Sequence, residues 1–207
     1  MLKQNGVLVF CFLSVSVVFS ENSSSETRNA PFGLTWGMTE TQVTQLLGVE
    51  IQKRVDSDLP LGITGILRVT SLPKNLTIAE FYSLIFVTER HLQKIVMYSE
   101  DIENDIYGSE GKEKYENIKT SLRKKYGPPT HKLEVSGLKL WNEPDEFYQC
   151  LDYDGCGHYF SIFKDEKSGM GIFLELKGVR RGQGFVKLTY EGPDWSAFIE
   201  AREKIES

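Results

Sequence analysis

Phe81-Tyr82-Ser83-Leu84-Ile85-Phe86-Val87, followed by Thr88-Glu89-Arg90-His91 and then by Leu92-Gln93-Lys94-Ile95-Val96-Met97-Tyr98, is the stretch that decides the fold. Two runs rich in β-branched and aromatic residues flank a short polar turn, which is the pattern of a hairpin. Parallel neighbours need a crossover of about a dozen residues, so strands joined this closely are antiparallel. Upstream, Ile63 to Val69 reads as a strand of the same group. Downstream, the spacing predicts strands over Lys132 to Val135, Leu138 to Trp141, Glu146 to Leu151, His158 to Phe163, Gly171 to Leu176 and Phe185 to Tyr190. Within them Ile172, Leu174 and Leu176 alternate with Phe173, Glu175 and Lys177, as in a strand with one buried and one wet face.

Helices are signalled by their ends. Thr39 and Gln42 form a capping box before Glu40 to Leu47, Gly48 stops that helix, and Val43, Leu46 and Leu47 share one face. A second helix is expected over Glu110 to Tyr126, with Ser109 as its cap and Gly127-Pro128-Pro129 as its end. Tyr115, Ile118, Leu122 and Tyr126 make a narrow apolar stripe on it. A third follows Gly192-Pro193, with Asp194 as cap and Trp195, Phe198, Ile199 and Ile205 as its apolar residues. The fold class expected is α+β: an antiparallel β-sheet with two or three helices packed on one side. Helix, glycine and strand recur at Gly48 and Gly127, an echo that suggests a duplicated helix-then-strands unit with halves 31–130 and 131–207.

The N-terminus reads as an export signal over residues 1–20. Lys3 supplies a positive start, Val7 to Phe19 an apolar run, and Val18-Phe19-Ser20 a cleavage site before Glu21. The run is shorter than the roughly 20 apolar residues a bilayer-spanning helix needs, so integral membrane insertion is not expected after cleavage. Glu21 to Ala30 is polar apart from Ala30 and reads as a disordered leader, with a single domain over 31–207 beginning near Pro31-Phe32. At 40% hydrophobic and 12% aromatic residues, the chain holds enough apolar material for a core. Loss of Lys3 with the signal takes the formal net charge from −5 to −6. Such a balance disfavours nucleic acid and anionic membranes, which reward clustered Lys and Arg. The expected location is therefore the periplasm or the secreted fraction.

Trp36-Gly37-Met38-Thr39-Glu40-Thr41-Gln42-Val43-Thr44-Gln45-Leu46-Leu47-Gly48 resembles the helix-opening motif G-M-[ST]-x-x-[QE]-V-x-x-L-L-G of bacterial envelope proteins. These include small outer-membrane-assembly lipoproteins and modules with the fold of the β-lactamase inhibitor protein. Gly37, Met38, Thr39, Gln42, Val43, Leu46, Leu47 and Gly48 carry the match. Phe32, Gly33, Trp36, Gly37, Tyr126, Gly127 and Pro129 are similar to a related pattern in exported proteins, Phe-Gly-x-x-Trp-Gly with a later Tyr-Gly-x-Pro. Val49-Glu50 replace the proline of the first pattern, and no lipobox cysteine is present, since Cys11 lies inside the apolar run and follows Phe10. The resemblance implies a non-catalytic module whose sheet face binds another protein, such as an immunity or inhibitor protein acting on an envelope toxin or enzyme.

The densest polar cluster is Cys150-Leu151-Asp152-Tyr153-Asp154-Gly155-Cys156-Gly157-His158. With Cys11 removed, Cys150 and Cys156 are the only cysteines of the exported chain, which reads first as a disulfide. A thiol nucleophile activated by His158 would make the chain a cell-envelope hydrolase, and a metal site would draw on both cysteines, His158 and Asp152. A tight Asp154-Gly155 hairpin turn would put the cysteines on opposite faces, whereas a wider loop over Leu151 to Gly155 lets them bond. Export favours the bond. His91 and His131 read as surface residues. No catalytic or cofactor motif is present, so no cofactor is expected. The candidate binding surface is the acidic loop Glu100, Asp101, Glu103 and Asp105, with the basic turn residues Arg180 and Arg181.

Overall fold

The computed structural model describes residues 28–48, 53–55 and 59–206. The signal segment 1–20 with Cys11, leader residues 21–27 and Val49-Glu50 lie outside the described residues. Eight strands and four α-helices form among those described: α1 (Glu40–Leu47), β1 (Lys53–Val55), β2 (Ile63–Val69), β3 (Ala79–Val87), β4 (His91–Ser99), α2 (Ser109–Tyr126), β5 (His131–Val135), α3 (Phe147–Asp152), β6 (His158–Asp165), β7 (Met170–Arg180), β8 (Gln183–Glu191) and α4 (Trp195–Glu206). The fold is α+β, with helices packed against an antiparallel sheet. None of the described helices is long and apolar enough to cross a membrane.

The strands run in the order β1-β2-β3-β4-β8-β7-β6-β5, every neighbouring pair antiparallel. α1 precedes one set of four strands and α2 the other, and the two sets meet at β4 and β8, where Val96 lies opposite Thr189. A two-fold axis normal to the sheet between these strands would generate this order from one helix-then-strands unit.

One face of the sheet holds the main core. Tyr82, Leu84 and Phe86 of β3, Ile95 and Met97 of β4, Leu174 and Leu176 of β7 and Leu188 of β8 are buried there. Val43 of α1, Tyr115 and Leu122 of α2, and Phe147, Tyr148 and Leu151 of α3 pack onto them. Burial at this density is what holds such a domain together, at about 25 cal/mol per Å² of apolar surface. Trp36 is buried in the same core.

The capping box of α1 forms as read: Thr39 N–H donates to Gln42 Oε1 at 2.8 Å and Gln42 N–H to Thr39 Oγ1 at 3.1 Å. Gly48 closes the helix at φ 60°, a left-handed conformation that favours glycine.

Elsewhere the sequence reading needs correction. The predicted strand Glu146 to Leu151 is helix α3: Phe147, Tyr148 and Leu151 bury one helical face, and Pro144 with Asp145 and Glu146 opens a short 3-10 turn ahead of it. Leu138 to Trp141 is not a strand but an irregular loop in which Trp141 takes φ 58°. Ser109 is the first residue of α2 rather than its cap; Gly108 occupies the cap position and the side-chain acceptor is Asp105. Of the expected leader, residues 28–30 are held in place, Asn29 bridging to Thr35 and Arg28 pairing with Asp194 at 2.9 Å.

α4 lies on the other face of the sheet. Trp195 and Phe198 pack with Ile85, Val87 and Val96, residues whose neighbours in sequence point into the main core. Three helices therefore cover one face, and the fourth covers one end of the other.

Candidate interaction face

Alternation along the strands decides what the second face carries. Because Tyr82, Leu84, Ile95, Met97, Leu174, Val186 and Leu188 turn inward, their neighbours turn outward. α4 covers Ile85, Val87 and Val96, and no helix among the described residues covers the remainder.

Side chains on this uncovered area form a continuous line across five strands. The Arg68 guanidinium (β2) stands 3.5 Å from the Phe81 ring centroid (β3). Phe81 stacks on Tyr98 (β4) at 4.5 Å with the planes 16° apart. Tyr98 lies 6.1 Å from Phe185 (β8), and Phe185 pairs directly with Lys177 (β7). Beside this line, Lys187 bridges to Glu175 at 3.1 Å. Beyond that pair, Phe160 (β6) and Phe173 (β7) form a second aromatic group with centroids 5.3 Å apart. The three rings Phe81, Tyr98 and Phe185 are half-buried, held by their neighbours yet open to solvent on one side.

Such a surface has a definite chemical use. Aromatic rings on a rigid strand lose little conformational entropy when another surface covers them, and Tyr and Arg are over-represented among residues that dominate binding energy. The Arg68–Phe81 contact keeps the guanidinium plane fixed against a ring while its N–H groups remain available.

The candidate binding residues taken from the sequence come together, but elsewhere. The loop carrying Glu100, Asp101, Glu103 and Asp105 lies along the β7–β8 hairpin: Ile102 exchanges both backbone hydrogen bonds with Gly184, and Asp105 N–H donates to the Gly182 carbonyl. Several of its charges are engaged internally. Asp101 Oδ2 accepts from Gln183 Nε2 at 3.1 Å, and Asp105 accepts from Ser109 N–H, Gly111 N–H and the Tyr148 hydroxyl. Arg181 pairs with Asp145, and Glu100, Glu103 and Arg180 are exposed.

Cys150 and Cys156 are joined in a disulfide, Cα to Cα 5.1 Å, that ties α3 to the chain entering β6. Cys156 closes a turn, its N–H donating to the Tyr153 carbonyl at 3.0 Å with Gly155 at φ 73°, so the Asp154-Gly155 turn does form. Because it follows a helix rather than joining two strands, it does not set the cysteines on opposite faces of a sheet, and the wide hairpin loop does not apply. With both sulfurs bonded, neither is a thiolate nucleophile. His158 is exposed on the uncovered face beside Phe160, with ring centroids 6.3 Å apart. Among the described residues no three His, Cys, Asp or Glu side chains are placed to hold a metal ion. His91 and His131 are exposed.

The strongly perturbed ionisable groups belong to the scaffold. Lys119 of α2 reaches Glu116 at 2.7 Å and Glu134 of β5 at 2.5 Å, and the Tyr115 hydroxyl meets Ser161 at 2.7 Å and donates to Glu134 at 3.1 Å. Burial alone would raise the Glu134 carboxyl, but the hydrogen bond and charge of Lys119, helped by Tyr115, outweigh it and hold the group below its ordinary value. Burial pushes the Tyr115 hydroxyl far above the range in which a phenol ionises. Each group here has a partner, which is the requirement for charge at low exposure.

Sequence reasoning missed the aromatic line, although one signal for it was present. In β3 and β4 the outward set carries Phe81, Ile85, Val96 and Tyr98, with only Ser83 and Lys94 polar between them, beside the inward set Tyr82, Leu84, Ile95 and Met97. A sheet with one face in water would carry polar residues on the first set.

The chain matches no protein-family model, no curated protein and no solved structure.

Proposed function

We propose that the chain is an exported, non-catalytic module that binds another protein through the uncovered face of its sheet. The observation that carries this is the line Arg68, Phe81, Tyr98, Phe185 and Lys177, an aromatic strip on a rigid sheet with a cation at each end. Contiguous apolar patches rimmed by polar groups mark interaction sites on proteins that work in water. The Cys150–Cys156 disulfide fits an oxidising compartment, which supports export to the periplasm or the medium. An immunity or inhibitor protein, covering the working surface of an envelope toxin or enzyme, needs a binding face of this kind and no catalytic group of its own.

The test is comparative co-purification from the exported fraction. Wild-type protein is compared with Tyr98→Lys and Phe173→Lys on the face and with Lys124→Glu on the exposed side of α2. One protein species retained by the wild type and by Lys124→Glu, and lost from both face variants, is the expected result. Equal recovery with all four, from chains that unfold at the same temperature, would overturn the reading.

A further inference from the structure

The charges on the uncovered face say what kind of surface it meets. Lys187 is already matched by Glu175 at 3.1 Å, and at the edge of α4, where its ammonium lies over the Trp195 ring, Lys94 is matched by Glu191 at 2.8 Å. Arg68 and Lys177 have no carboxylate partner among the described residues, and they stand at the two ends of the aromatic line. From β2 to β7 the line crosses four inter-strand gaps of about 4.8 Å, about 19 Å across the strands, and Lys177 lies four residues along β7 from Phe173, the residue in register with Arg68.

We infer that this face takes an acidic protein surface, one presenting carboxylates on either side of an apolar patch that covers Phe81, Tyr98 and Phe185. The inference rests on the docking reading above and adds the partner's chemistry to it. A cation left unmatched at the rim of an apolar strip gains a charge-assisted hydrogen bond when a carboxylate docks, and the guanidinium plane of Arg68, stacked on Phe81, is preset for a two-pronged one. Pairing of carboxylates with these two cations also fixes the register in which a partner docks. A nucleic acid suits the site poorly, because two unmatched cations neutralise few phosphates. A second copy of this chain suits it poorly as well, since two carboxylates of its acidic loop, Asp101 and Asp105, already have internal partners.

The test titrates isotope-labelled protein with a random glutamate–tyrosine copolymer and follows backbone amide shifts. A lysine–tyrosine copolymer and a 20-nucleotide oligothymidylate serve as comparison probes. The expected result is a saturable shift centred on residues 68, 81, 98, 177 and 185 with the glutamate copolymer, weakening as salt is added. Arg68→Glu with Lys177→Glu should reduce the affinity at least tenfold, and Arg68→Gln with Lys177→Gln serves if the glutamate pair does not fold. Shifts confined to other residues, indifference to charge reversal, or stronger shifts at these amides with either comparison probe would overturn the acidic partner. If the copolymer fails while Tyr98→Lys still abolishes co-purification, the acidic chemistry alone is wrong. If both fail, the docking face is wrong too. Dimerisation of the free protein through the same amides would assign the face to a second copy instead.

Discussion

The Tyr148 hydroxyl donates to Asp105 Oδ2 at 2.9 Å, and the same carboxylate accepts the Ser109 and Gly111 N–H groups at 2.8 and 3.0 Å. One side chain thus caps α2, anchors α3 through Tyr148 and fixes the loop beside the β7–β8 hairpin. Asp105→Ala removes the cap and leaves a buried hydroxyl without its acceptor, a combined loss of about 3 kcal/mol. Asp105→Asn keeps one acceptor oxygen and should lose less. Urea unfolding of the two variants measures both, and a loss below about 1 kcal/mol for the alanine would show that α2 does not depend on this cap.

Close approach of α3 to β7 gives a second prediction. A Cβ built on Gly178 would stand 1.9 Å from the Tyr148 carbonyl oxygen, a backbone atom that cannot swing aside. Gly178→Ala must therefore push α3 off the sheet, and overpacking of this kind destabilises by about 1–3 kcal/mol. Thermal unfolding checks it; an unchanged midpoint would mean that α3 is loosely held.

How much of this was legible follows from what each signal encodes. The Phe81–Tyr98 hairpin and the Thr39–Gln42 box are local, and both are found where the sequence put them. Helix α3 was missed because Phe147 to Leu151 is too short for the spacing of its apolar residues to distinguish a helical from a strand period. The position of α4 was not legible, because Trp195 and Phe198 mark an apolar face without saying which side of the sheet receives it. The aromatic line escaped for a related reason: Arg68, Phe81, Tyr98, Phe185 and Lys177 lie far apart in sequence, and only strand order and register bring them into line.

The pairing of Lys119 with Glu134 sets a pH dependence. The Glu134 carboxyl is held below its ordinary value of 4.5, so the stability it contributes is present above that value and is lost as pH falls through the folded-state value. Burial would lower Lys119, but Glu116 and Glu134 outweigh it and raise the group, so its share is present below 10.5 and is lost as pH rises through the folded-state value. Glu134→Gln should be less stable than wild type at neutral pH and should show a shallower loss below pH 4.5. Urea midpoints measured across that range decide it, and parallel acid limbs would place the titrating group elsewhere.

The Cys150–Cys156 bond makes a chemical prediction. Alkylation of the unfolded, unreduced protein should label neither Cys150 nor Cys156, and labelling after reduction should reach both. Closing a loop this short restricts the unfolded chain by about 2 kcal/mol, so the reduced protein should unfold more easily by that amount. Two labelled thiols before reduction would contradict the bond and return His158 to consideration as the partner of a reactive cysteine.

A protein that docks on the uncovered sheet face, and not on the helical side, leaves a trace at the face residues alone. Photocrosslinking in the cell of origin decides it, with a benzoylphenylalanine placed in turn at Tyr98, Phe185 and Phe173 on the face and at Lys124 and Glu113 on α2. One crosslinked polypeptide is expected, the same from all three face positions and absent from both helix positions. Crosslinks arising from α2 alone, with none from the three face positions of a folded protein, would contradict it.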